Sequence, residues 1–589
     1  MDAIRDAVAA RKERLRRQEA GEDAGALPVS VEPATATARA VARWCVPGKG
    51  PRATKVWTAK HAGNLDLLRR CLTELDTWKE EARPEERHGR ACKLVWIANA
   101  GDGVSQLGRH QVMNKLEGMH ALADKAETER WLARQRSVGV PGLGPGAGSS
   151  FPRTWILPGG RRDLEAYLKR KRKLGHQKHG TVIYKPANGM QGCGITLVQH
   201  EGNLPSESGH VGRKAAVAQA YIPPLLYDGL KFDLRLYAVV TSVDPLEAYL
   251  HREGLARFCT EPYETPSAKN LHRTFAHLTN YSLNKSNRDG YVLATDSGSS
   301  SESSDDGRPF AGASKRPASH VIDELDARGL LDGDDLWAKT EALCAATLRA
   351  IQPDLAMRYR RSFPRERETL REAAGANRGA PDAEDRRCFH VIGLDVMVDE
   401  KAQPRLIEVN SSPSLGLDQE VQVVNEEGAA RTVKQLSPVD VAVKVRVMRS
   451  VLRLVGEKHL EDDLKPICGG GCDEAAEWTL LDRCRRLFCA AQVNSDKGMG
   501  AAHWVRFCRN ADLLSLGGFV KADLEIMHTQ LCAKQEWRAN EPAHKLMRWA
   551  TFATALRDLA TKAFPGDDVS VAFEQLLEHV HCNAAEGDG

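Results

Sequence analysis

The stretch Val391–Leu415 contains three candidate oxygen ligands, the carboxylates of Asp395 and Glu408 and the amide of Asn410. Two apolar runs in this stretch are separated by the polar sequence DEKAQP, which predicts two strands joined by a turn. Because side chains alternate between the faces of a strand, Glu408 and Asn410 point the same way. Asp395, on the preceding strand, joins them if the register brings it alongside. These oxygen donors suit Mg²⁺ shared with nucleotide phosphates; the alternative is an acidic hairpin with one wet face.

A glycine-rich segment, YKPANGMQGCGI, follows a strand predicted at Thr181–Tyr184. Its three glycines let backbone N–H groups approach a phosphate closely and form an anion-binding concavity. Lys185, at the end of the strand, can reach the phosphates as a point charge. The segment is not a Walker loop, because no GK[ST] opens a helix. Taken alone, it could equally be a simple hairpin turn.

Two further strands carry polar groups that could face the same cleft. Val217–Ile222 ends in a proline-rich link, where backbone groups and Gln219 could bond the edge of a purine. Lys231–Tyr237 alternates strictly, so that its charged residues share one face and its apolar residues share the other. The charged residues are Lys231, Asp233 and Arg235. Their sign and spacing suit a ribose and a triphosphate, and a solvated edge is the alternative.

The composition is that of a globular protein with little overall charge. The 589 residues are 42% hydrophobic and 28% charged, with a formal net charge of +4. This length exceeds one core and predicts two or three domains. The N-terminal sequence lacks the apolar segment of a secretory signal, and no run approaches the roughly 18 apolar residues of a membrane span. The 14 Cys form no CxxC pair, so we expect reduced, mostly buried thiols. We expect neither a membrane nor a nucleic-acid partner.

Shifts in composition predict an α/β (α+β) protein of four parts. These are an N-terminal helix and flexible tail (1–55), a core (56–455), a Gly/Cys-rich linker (456–475) and a helical region (476–582). Within the core, residues 286–320 contain the sequence SGSSSESSDDG and predict a disordered insert, since they cannot bury enough apolar surface. Gly139–Ser150 predicts a flexible loop, and the helix predicted at Asp163–Lys173 ends in a dense basic run.

Six segments, taken in order, resemble the tubulin tyrosine ligase-like family. They are KPANGMQGCGI, VAQAYI, DGLKFDLRLYAVVTSVDPLEAYLHREGLARFCTEPY, HLTNYSLNK, GLDVMV and IEVNSSPSL. The resemblance covers roughly residues 91–455 and implies an ATP-grasp ligase core that uses ATP and Mg²⁺. DGLKFDLRLY and REGLARF are similar to the branch of the family that adds glutamate, the tubulin polyglutamylases.

The resemblance also implies roles for individual residues. ATP would be held by Lys185, Gln191, Gly192, Gln219, Ala220, Tyr221, Ile222, Lys231, Phe232 and Asp233. Mg²⁺ would be held by Asp395, Glu408 and Asn410. The incoming amino acid would be gripped by Arg257, Thr279, Asn280, Lys315 and Asn410, and the catalytic residues would be Arg235, Arg257 and Glu408, with Arg235 at the transferring phosphate.

The implied reaction joins free L-glutamate to glutamate side chains in the acidic C-terminal tails of tubulin. ATP first converts the acceptor carboxylate to an acyl phosphate, and Mg²⁺ and cationic side chains neutralise the phosphoryl group in transfer. The basic run at Lys169–Lys173 could meet the acidic tail, although such runs are often solvated faces. We expect the protein in the cytoplasm with the cytoskeleton, at microtubules of a cilium, flagellum or basal body.

Other functions remain open at this stage. The ligase could add glycine, or act on another acidic protein, or the chain could be an inactive microtubule-binding scaffold. The sequence leaves open α- or β-tubulin preference. Gln191 stands where chain-elongating relatives tend to have Gln, which favours elongation over initiation, whereas Ser411 departs from the His of some elongating members.

The region 476–582 resembles a second family, the tubulin-polymerisation-promoting proteins, which implies an EF-hand-like helical domain that docks on microtubules. HWVRFCR and WATFATALRDLA carry the resemblance. Gly517–Asp523 lacks the alternating oxygen donors of a Ca²⁺ loop, so we expect no Ca²⁺ site there. A generic helical bundle is the alternative.

Overall fold

Helices and several β-sheets make up a mixed α/β architecture in the described part of the chain. The computed structural model describes residues 54–59, 62–75, 78–81, 92–98, 107–108, 111–137, 150–174, 180–187, 189, 192–205, 215–287, 289–294, 310, 312–363, 387–424, 430–469, 483–485, 487–488, 498–533 and 546–586. The strands are β1 (Thr54–Thr58), β2 (Trp78–Glu81), β3 (Leu94–Trp96), β4 (Val112–Met113), β5 (Thr154–Leu157), β6 (Val182–Pro186), β7 (Thr196–Val198), β8 (Ala216–Ala220), β9 (Leu226–Tyr227), β10 (Leu230–Val243), β11 (Leu246–Phe258), β12 (Lys315–Pro317), β13 (His390–Val398), β14 (Pro404–Asn410), β15 (Asp418–Val424), β16 (Ala430–Leu436), β17 (Leu464–Cys468), β18 (Met499–Gly500) and β19 (Leu546–Met547).

Helices accompany these strands through the core and dominate the C-terminal region. They are α1 (Leu65–Glu74), α2 (Lys125–Ser137), α3 (Arg161–Lys173), α4 (Thr274–His277), α5 (Tyr281–Asn284), α6 (Ala318–Ala327), α7 (Gly333–Ser362), α8 (Pro438–Leu452), α9 (Ala501–Asn510), α10 (Leu513–Gly517), α11 (Lys521–Ala533), α12 (Trp549–Ala563) and α13 (Val569–Glu586). Within the described ranges, none of the helices combines the length and the apolar character needed to cross a bilayer.

Two antiparallel sheets carry the predicted site. In the larger, β12, β11, β10, β13 and β14 follow one another, with β17 added at β11 and β9 at β10. The smaller has the order β5-β8-β6-β7. A third, parallel sheet has the order β2-β1-β3-β4.

The strict alternation of β10 explains how one strand serves both the core and the site. Phe232, Leu234 and Leu236 belong to the largest buried apolar cluster, together with Val321 of α6 and Leu343 of α7. Burying such side chains contributes roughly 1.5–3 kcal/mol each. Because the period of a strand is two residues, that burial turns the three charged residues of β10 to the other face.

The helices that border the site begin at side-chain caps. The Asp124 carboxylate accepts hydrogen bonds from the backbone N–H groups of Ala126 and Glu127, at 2.9 and 3.0 Å, where α2 begins. The Ser437 hydroxyl accepts one from the N–H of Asp440, at 3.4 Å, where α8 begins with a proline. These caps satisfy donors that a helix start leaves unpaired, and they fix where the first side chains of each helix lie.

Most of the predicted elements are confirmed. The hairpin of Val391–Leu415 is β13 and β14, and the basic helix is α3. The described cysteines are free thiols and all are buried except Cys193 in the glycine-rich segment. The N-terminal helix at 1–18 and nearly all of the loop Gly139–Ser150 lie outside the described residues.

The predicted insert at 286–320 is too wide. Residues 289–294 and 312–320 belong to the fold, where Lys315–Pro317 pairs with β11 and is followed at once by α6. Both ends of the predicted insert are therefore ordered. Pairing of β12 with β11 stabilises a segment whose local composition alone predicts disorder.

The predicted linker at 456–475 is wrong over its first half. Leu464–Cys468 forms β17 and pairs with Ala248–His251 of β11, at the edge of the larger sheet. The preceding residues Arg453–Glu457 form a π-helical turn. The glycine-rich composition after Cys468 led to the prediction of a linker. The short strand before it is stabilised by pairing with β11, which is distant in the sequence.

The C-terminal helices pack directly on the core. α12 contacts α2, and Trp504, Phe552 and Phe573 belong to the same apolar cluster as the core strands. Arg485 is fully buried, and its Nη2 lies 2.8 Å from Oδ1 of Asp244, in the turn between β10 and β11. The described part of 476–582 is helical as predicted, apart from the short pair β18–β19. Gly517–Asp523, the segment compared with a Ca²⁺ loop, spans the end of α10 and the start of α11.

Candidate active site

Strand register brings the predicted site residues into neighbouring positions. Asp395 of β13 lies opposite Glu408 of β14 and, on its other side, opposite Arg235 of β10. Asp233 of β10 lies opposite Arg257 of β11. A bulge between Asp395 and Val396 adjusts the pairing of β13 with β14 at this point. Residues far apart in sequence thus form one charged surface across four adjacent strands.

The charges on this surface form a buried network of ion pairs. Arg257 donates from Nε and Nη2 to the two oxygens of Asp233, at 2.8 and 2.6 Å, and from Nη2 to Oδ2 of Asp395 at 2.7 Å. Arg235 donates from Nη2 to Oδ2 of Asp395 at 3.0 Å, with a second contact through Nε. The Thr279 hydroxyl donates to Oδ2 of Asp233 at 2.6 Å. Such bidentate, charge-assisted pairs hold the side chains in fixed orientations.

The network decides the ionisation of Asp395. Burial by itself would raise the pKa of this carboxyl, because the charged form loses hydration. The charges and hydrogen bonds of Arg235 and Arg257 outweigh burial and hold the pKa of Asp395 well below its ordinary range. The side chain is therefore an anion at neutral pH.

The residues predicted to hold Mg²⁺ fit that role in donor chemistry. Asp395 and Glu408 are adjacent through strand register, and Asn410 follows on the same face of β14. The Nδ2 atom of Asn410 is buried and has no hydrogen-bond partner in the described part of the chain, which is uncommon for an amide. No group of three or more His, Cys, Asp and Glu side chains among the described residues is arranged to hold a metal ion. The predicted set therefore depends on the amide as its third protein donor.

Two buried lysines that are predicted to hold the nucleotide lie near the carboxylates. Lys185 of β6 donates to Oε1 of Gln219 at 2.6 Å, and Lys231 of β10 donates to the Tyr221 hydroxyl at 3.1 Å. Burial lowers the pKa of both lysines to about 8, although Glu408 acts in the opposite direction on Lys185. Both ammonium groups are held in place before any ligand arrives.

The glycine-rich segment approaches Asn280, which is predicted to contact the amino acid. Gly192 and Gly194 have φ angles of 83° and 72°, in the left-handed region that favours glycine. A Cβ atom at Gly192 would lie 3.5 Å from Cγ of Asn280, so the loop runs close to that residue. Gln191 lies outside the described residues.

Three other predicted nucleotide residues lie at the edge of the site or away from it. The side chain of Phe232 is buried in the apolar core beside Phe258, with ring centroids 5.6 Å apart, on the opposite face from Lys231. The backbone N–H of Ala220 bonds the carbonyl of Arg153 at 2.8 Å, and that of Tyr221 bonds Thr181 at 2.9 Å. Both N–H groups are therefore already bonded within the protein and are not free to donate to a purine.

The predicted amino-acid side of the site is cationic. Lys315 of β12 lies opposite Arg257 and forms a buried ion pair with Asp440 of α8. Its ammonium also lies 4.6 Å from the ring centroid of Tyr281. Arg257 uses Nε and Nη2 within the network, and no partner occupies its Nη1 within the described ranges. That N–H group is the one available to a ligand carboxylate.

The structure adds Lys125 and Asp440, which the sequence patterns do not single out. Lys125, the first residue of α2, lies 3.4 Å from Oε2 of Glu408 and donates to the carbonyl of Gly189 at 3.0 Å. It thereby bridges a proposed metal ligand and the glycine-rich segment. Asp440 also pairs with Lys444 at 2.8 Å. Neither residue stands in a motif; the only sequence signals were the helix caps just before them.

The sequence of the chain is similar to those of known proteins. The Tubulin-tyrosine ligase family matches residues 104–324 and 351–440. Tubulin polyglutamylase TTLL11 of Homo sapiens is 33% identical over 411 residues, which cover 69% of this chain and 50% of that protein. Tubulin polyglutamylase ttll-11 of Caenorhabditis elegans is 34% identical over 361 residues, covering 60% and 45% of the two chains. Tubulin polyglutamylase TTLL7 of Homo sapiens is 32% identical over 368 residues, covering 62% and 36%. The chain spans half the length of these relatives or less. Since the family match covers more than half of the chain and includes every strand that carries the charged network, the chain belongs to the tubulin-tyrosine ligase family.

Proposed function

We propose that this chain is an ATP-dependent ligase with an ATP-grasp core that adds glutamate to glutamate side chains in the acidic tails of tubulin. One observation carries the proposal. The buried ammonium of Lys185, the carboxylates of Asp395 and Glu408, and the available Nη1 of Arg257 converge on one charged surface. A ligase of this kind needs a nucleotide, a cation and an amino acid beside one another, and the relatives named tubulin polyglutamylase support the choice of substrate.

The first step activates the acceptor. An oxygen of the acceptor carboxylate attacks the γ-phosphorus of ATP, the bond to ADP breaks, and an acyl phosphate forms. Mg²⁺, held by Asp395, Glu408 and Asn410, would supply positive charge to the phosphates. Lys185 and Lys231 would hold the phosphates, and their buried, preorganised charges would stabilise the transition state more than hydrated charges could.

The second step forms the isopeptide bond. The amine of free L-glutamate attacks the acyl carbon, inorganic phosphate leaves, and the amine gives up a proton. Arg257 would hold a carboxylate of the amino acid through Nη1, while its other donors remain on Asp233 and Asp395. Lys315, one position along the sheet, would add a second positive charge for the other carboxylate. Two cationic contacts favour glutamate over glycine, which has a single carboxylate.

The acidic acceptor would dock on α3. Lys169, Arg170, Arg172 and Lys173 are exposed at its C-terminal end, and α3 packs on β5 of the sheet that carries Lys185. Exposed charges act over about 8 Å at physiological ionic strength. Charge reversal at Lys169 and Lys173 should therefore raise the KM for tubulin at low salt, whereas Lys79→Glu, an exposed control on β2, should not.

Mass spectrometry of modified tubulin tests the function directly. Purified protein is incubated with tubulin, ATP and Mg²⁺, and with labelled glutamate or labelled glycine, beside the Glu408→Gln variant as the inactive control. We expect glutamate on the tubulin tails with the wild-type protein only. Efficient transfer of glycine would assign the other branch of the family. Nucleotide binding without transfer to any acidic protein would leave the chain as a scaffold.

The C-terminal helices would add a second contact with microtubules, as their resemblance to tubulin-polymerisation-promoting proteins suggests. Linking two weak contacts in one chain raises the effective concentration of the acceptor. Because these helices share the apolar core, surface charge is a better test than truncation. Reversing the exposed Arg506 and Arg509 of α9 should weaken co-sedimentation with microtubules and leave transfer to a short acidic peptide unchanged. Such a protein is expected with microtubules of the cytoskeleton or a cilium.

A further inference from the structure

His277, the last residue of α4, has no role in the proposed function. It precedes Thr279 and Asn280 in the segment HLTNY, and its side chain is 1% exposed. Its Nε2 lies 3.1 Å from the carbonyl oxygen of Asn270, and its Nδ1 lies 3.4 Å from the Tyr221 hydroxyl. The rings of His277 and Tyr221 are also nearly perpendicular, with an interplanar angle of 86° and centroids 6.1 Å apart.

These contacts fix the tautomer of the imidazole. A carbonyl oxygen only accepts hydrogen bonds, so Nε2 carries the proton and donates to Asn270. Nδ1 is then unprotonated and accepts from the Tyr221 hydroxyl. Tyr263, which also hydrogen-bonds this hydroxyl, must then donate to its oxygen. Burial, together with the nearby charge of Lys231, lowers the pKa of His277 to about 4, so the ring stays neutral at physiological pH.

The direction of this bond determines what Tyr221 offers to Lys231. A hydroxyl whose proton points to His277 presents its lone pairs elsewhere, and the Lys231 ammonium donates to that oxygen at 3.1 Å. The same ammonium lies 4.3 Å from the ring centroid of Tyr221. If the hydroxyl proton turned toward Lys231, the contact would be repulsive.

We propose that His277 is a positioning residue for the bound nucleotide: its Nδ1 orients the Tyr221 hydroxyl, which holds the Lys231 ammonium in the cleft. The chain of donors runs from Lys231 through Tyr221 and His277 to the carbonyl of Asn270. The inference rests on the proposed function only in taking Lys231 as a nucleotide ligand. His277 itself touches no substrate.

Two conservative substitutions separate this role from a purely structural one. Asn at position 277 can place an amide oxygen where Nδ1 is and keep the acceptor for Tyr221. Gln can place an amide nitrogen where Nε2 is and keep the bond to Asn270, but not the acceptor. Binding of a fluorescent ATP analogue to the purified full-length protein is measured directly, without tubulin. We expect His277→Gln to weaken binding about 3–10-fold, the effect of one neutral hydrogen bond, and His277→Asn to retain most of the affinity.

The Tyr221→Phe background tests whether His277 acts through the hydroxyl. In that background His277→Gln should have no further effect, since residues that act through one bond are non-additive. Tyr263→Phe serves as the matched control, because Tyr263 is the other hydrogen-bonding neighbour of the Tyr221 hydroxyl and should not be required. In turnover assays the KM for ATP should rise while the KM for glutamate stays the same.

Three results would overturn the inference. They are wild-type affinity in His277→Gln, loss of affinity in His277→Asn but not in His277→Gln, and full additivity with Tyr221→Phe. A wild-type protein that does not bind ATP at all would instead reject the proposed function, so the two failures are distinguishable.

Discussion

Replacing Asp395 by Asn should destabilise the protein even when no metal or nucleotide is present. The carboxylate accepts hydrogen bonds from Arg235 and Arg257, and its side chain is 3% exposed. Asn has the same shape but no charge, so Arg235 would keep a buried charge without its anionic partner. Glu408→Gln is the matched comparison, since it removes the charge of the other carboxylate proposed to hold the metal.

The two substitutions differ in expected magnitude because their surroundings differ. Breaking a buried ion pair on one side costs about 3–5 kcal/mol. Glu408 is 21% exposed and forms an ion pair with Lys125 at 3.4 Å, and such a partly exposed pair contributes about 0–1 kcal/mol. We therefore expect the free energy of unfolding to fall by about 3–5 kcal/mol for Asp395→Asn and by less than about 1 kcal/mol for Glu408→Gln. Both variants should lose glutamate transfer.

The pH dependence of the difference has a definite sign. The folded-state pKa of Asp395 lies below its ordinary value of 3.8. Its contribution to stability is therefore fully present above that value and is lost as the pH falls below it toward the folded-state pKa. The difference between wild-type protein and Asp395→Asn should be constant from pH 5 to pH 8 and should shrink below about pH 4.

Urea unfolding followed by tryptophan fluorescence, in buffer with a chelator and no nucleotide, measures this difference. A residue that serves only as a metal ligand would be neutral or stabilising to remove in the absence of the metal. An Asp395→Asn protein as stable as the wild type, or a Glu408→Gln protein equally destabilised, would refute the structural role derived from the network.

Three further outcomes follow from the same contacts. Because burial lowers the pKa of Lys185 to about 8, affinity for ATP should fall as the pH rises from 7 to 9. The fall should be shallower in Lys185→Arg, since Arg stays charged. A steeper or rising profile in this variant would contradict the role of Lys185. Arg257→Lys keeps the positive charge but not the planar guanidinium with its paired donors. The KM for glutamate should therefore rise at least about tenfold, and the KM for ATP should change less. Steady-state kinetics, with each substrate varied in turn, measures both values. Arg485→Met removes the buried ion pair with Asp244 and should cost about 3–5 kcal/mol of stability. Arg483→Met, at a half-buried neighbour, should cost less, and equal unfolding midpoints for the two variants would contradict this role of Arg485.

The integration of the C-terminal helices changes how the chain should be divided. Residues 464–468, predicted as linker, complete an edge of the larger sheet, and α12 packs on α2, the helix that begins with Lys125. A truncated chain that ends at Val455 would lose β17 and expose apolar core. Effects of such a truncation on microtubules could then reflect a damaged fold, which is why surface substitutions are the better test.

The sequence by itself determined the local elements and the types of groups in the site. The alternation in Lys231–Tyr237 predicted that the apolar residues would share one face and the charged residues the other, and the apolar face is buried in the core. The spacing of Glu408 and Asn410 likewise predicted a shared face on β14. These features are local, since a period of two or of 3.6 residues is written in consecutive positions.

Tertiary structure alone decided which charges meet and how they are used. Asp395 pairs with Arg235 and Arg257 because β13, β10 and β11 lie side by side, in a register set by packing over the whole sheet. The contact of Lys125 with Glu408 joins residues 283 positions apart. Strand β17 is stable only because β11 offers it backbone partners. Such long-range pairings leave no periodic trace in the sequence, since the free energy that selects them arises only when the chain is folded.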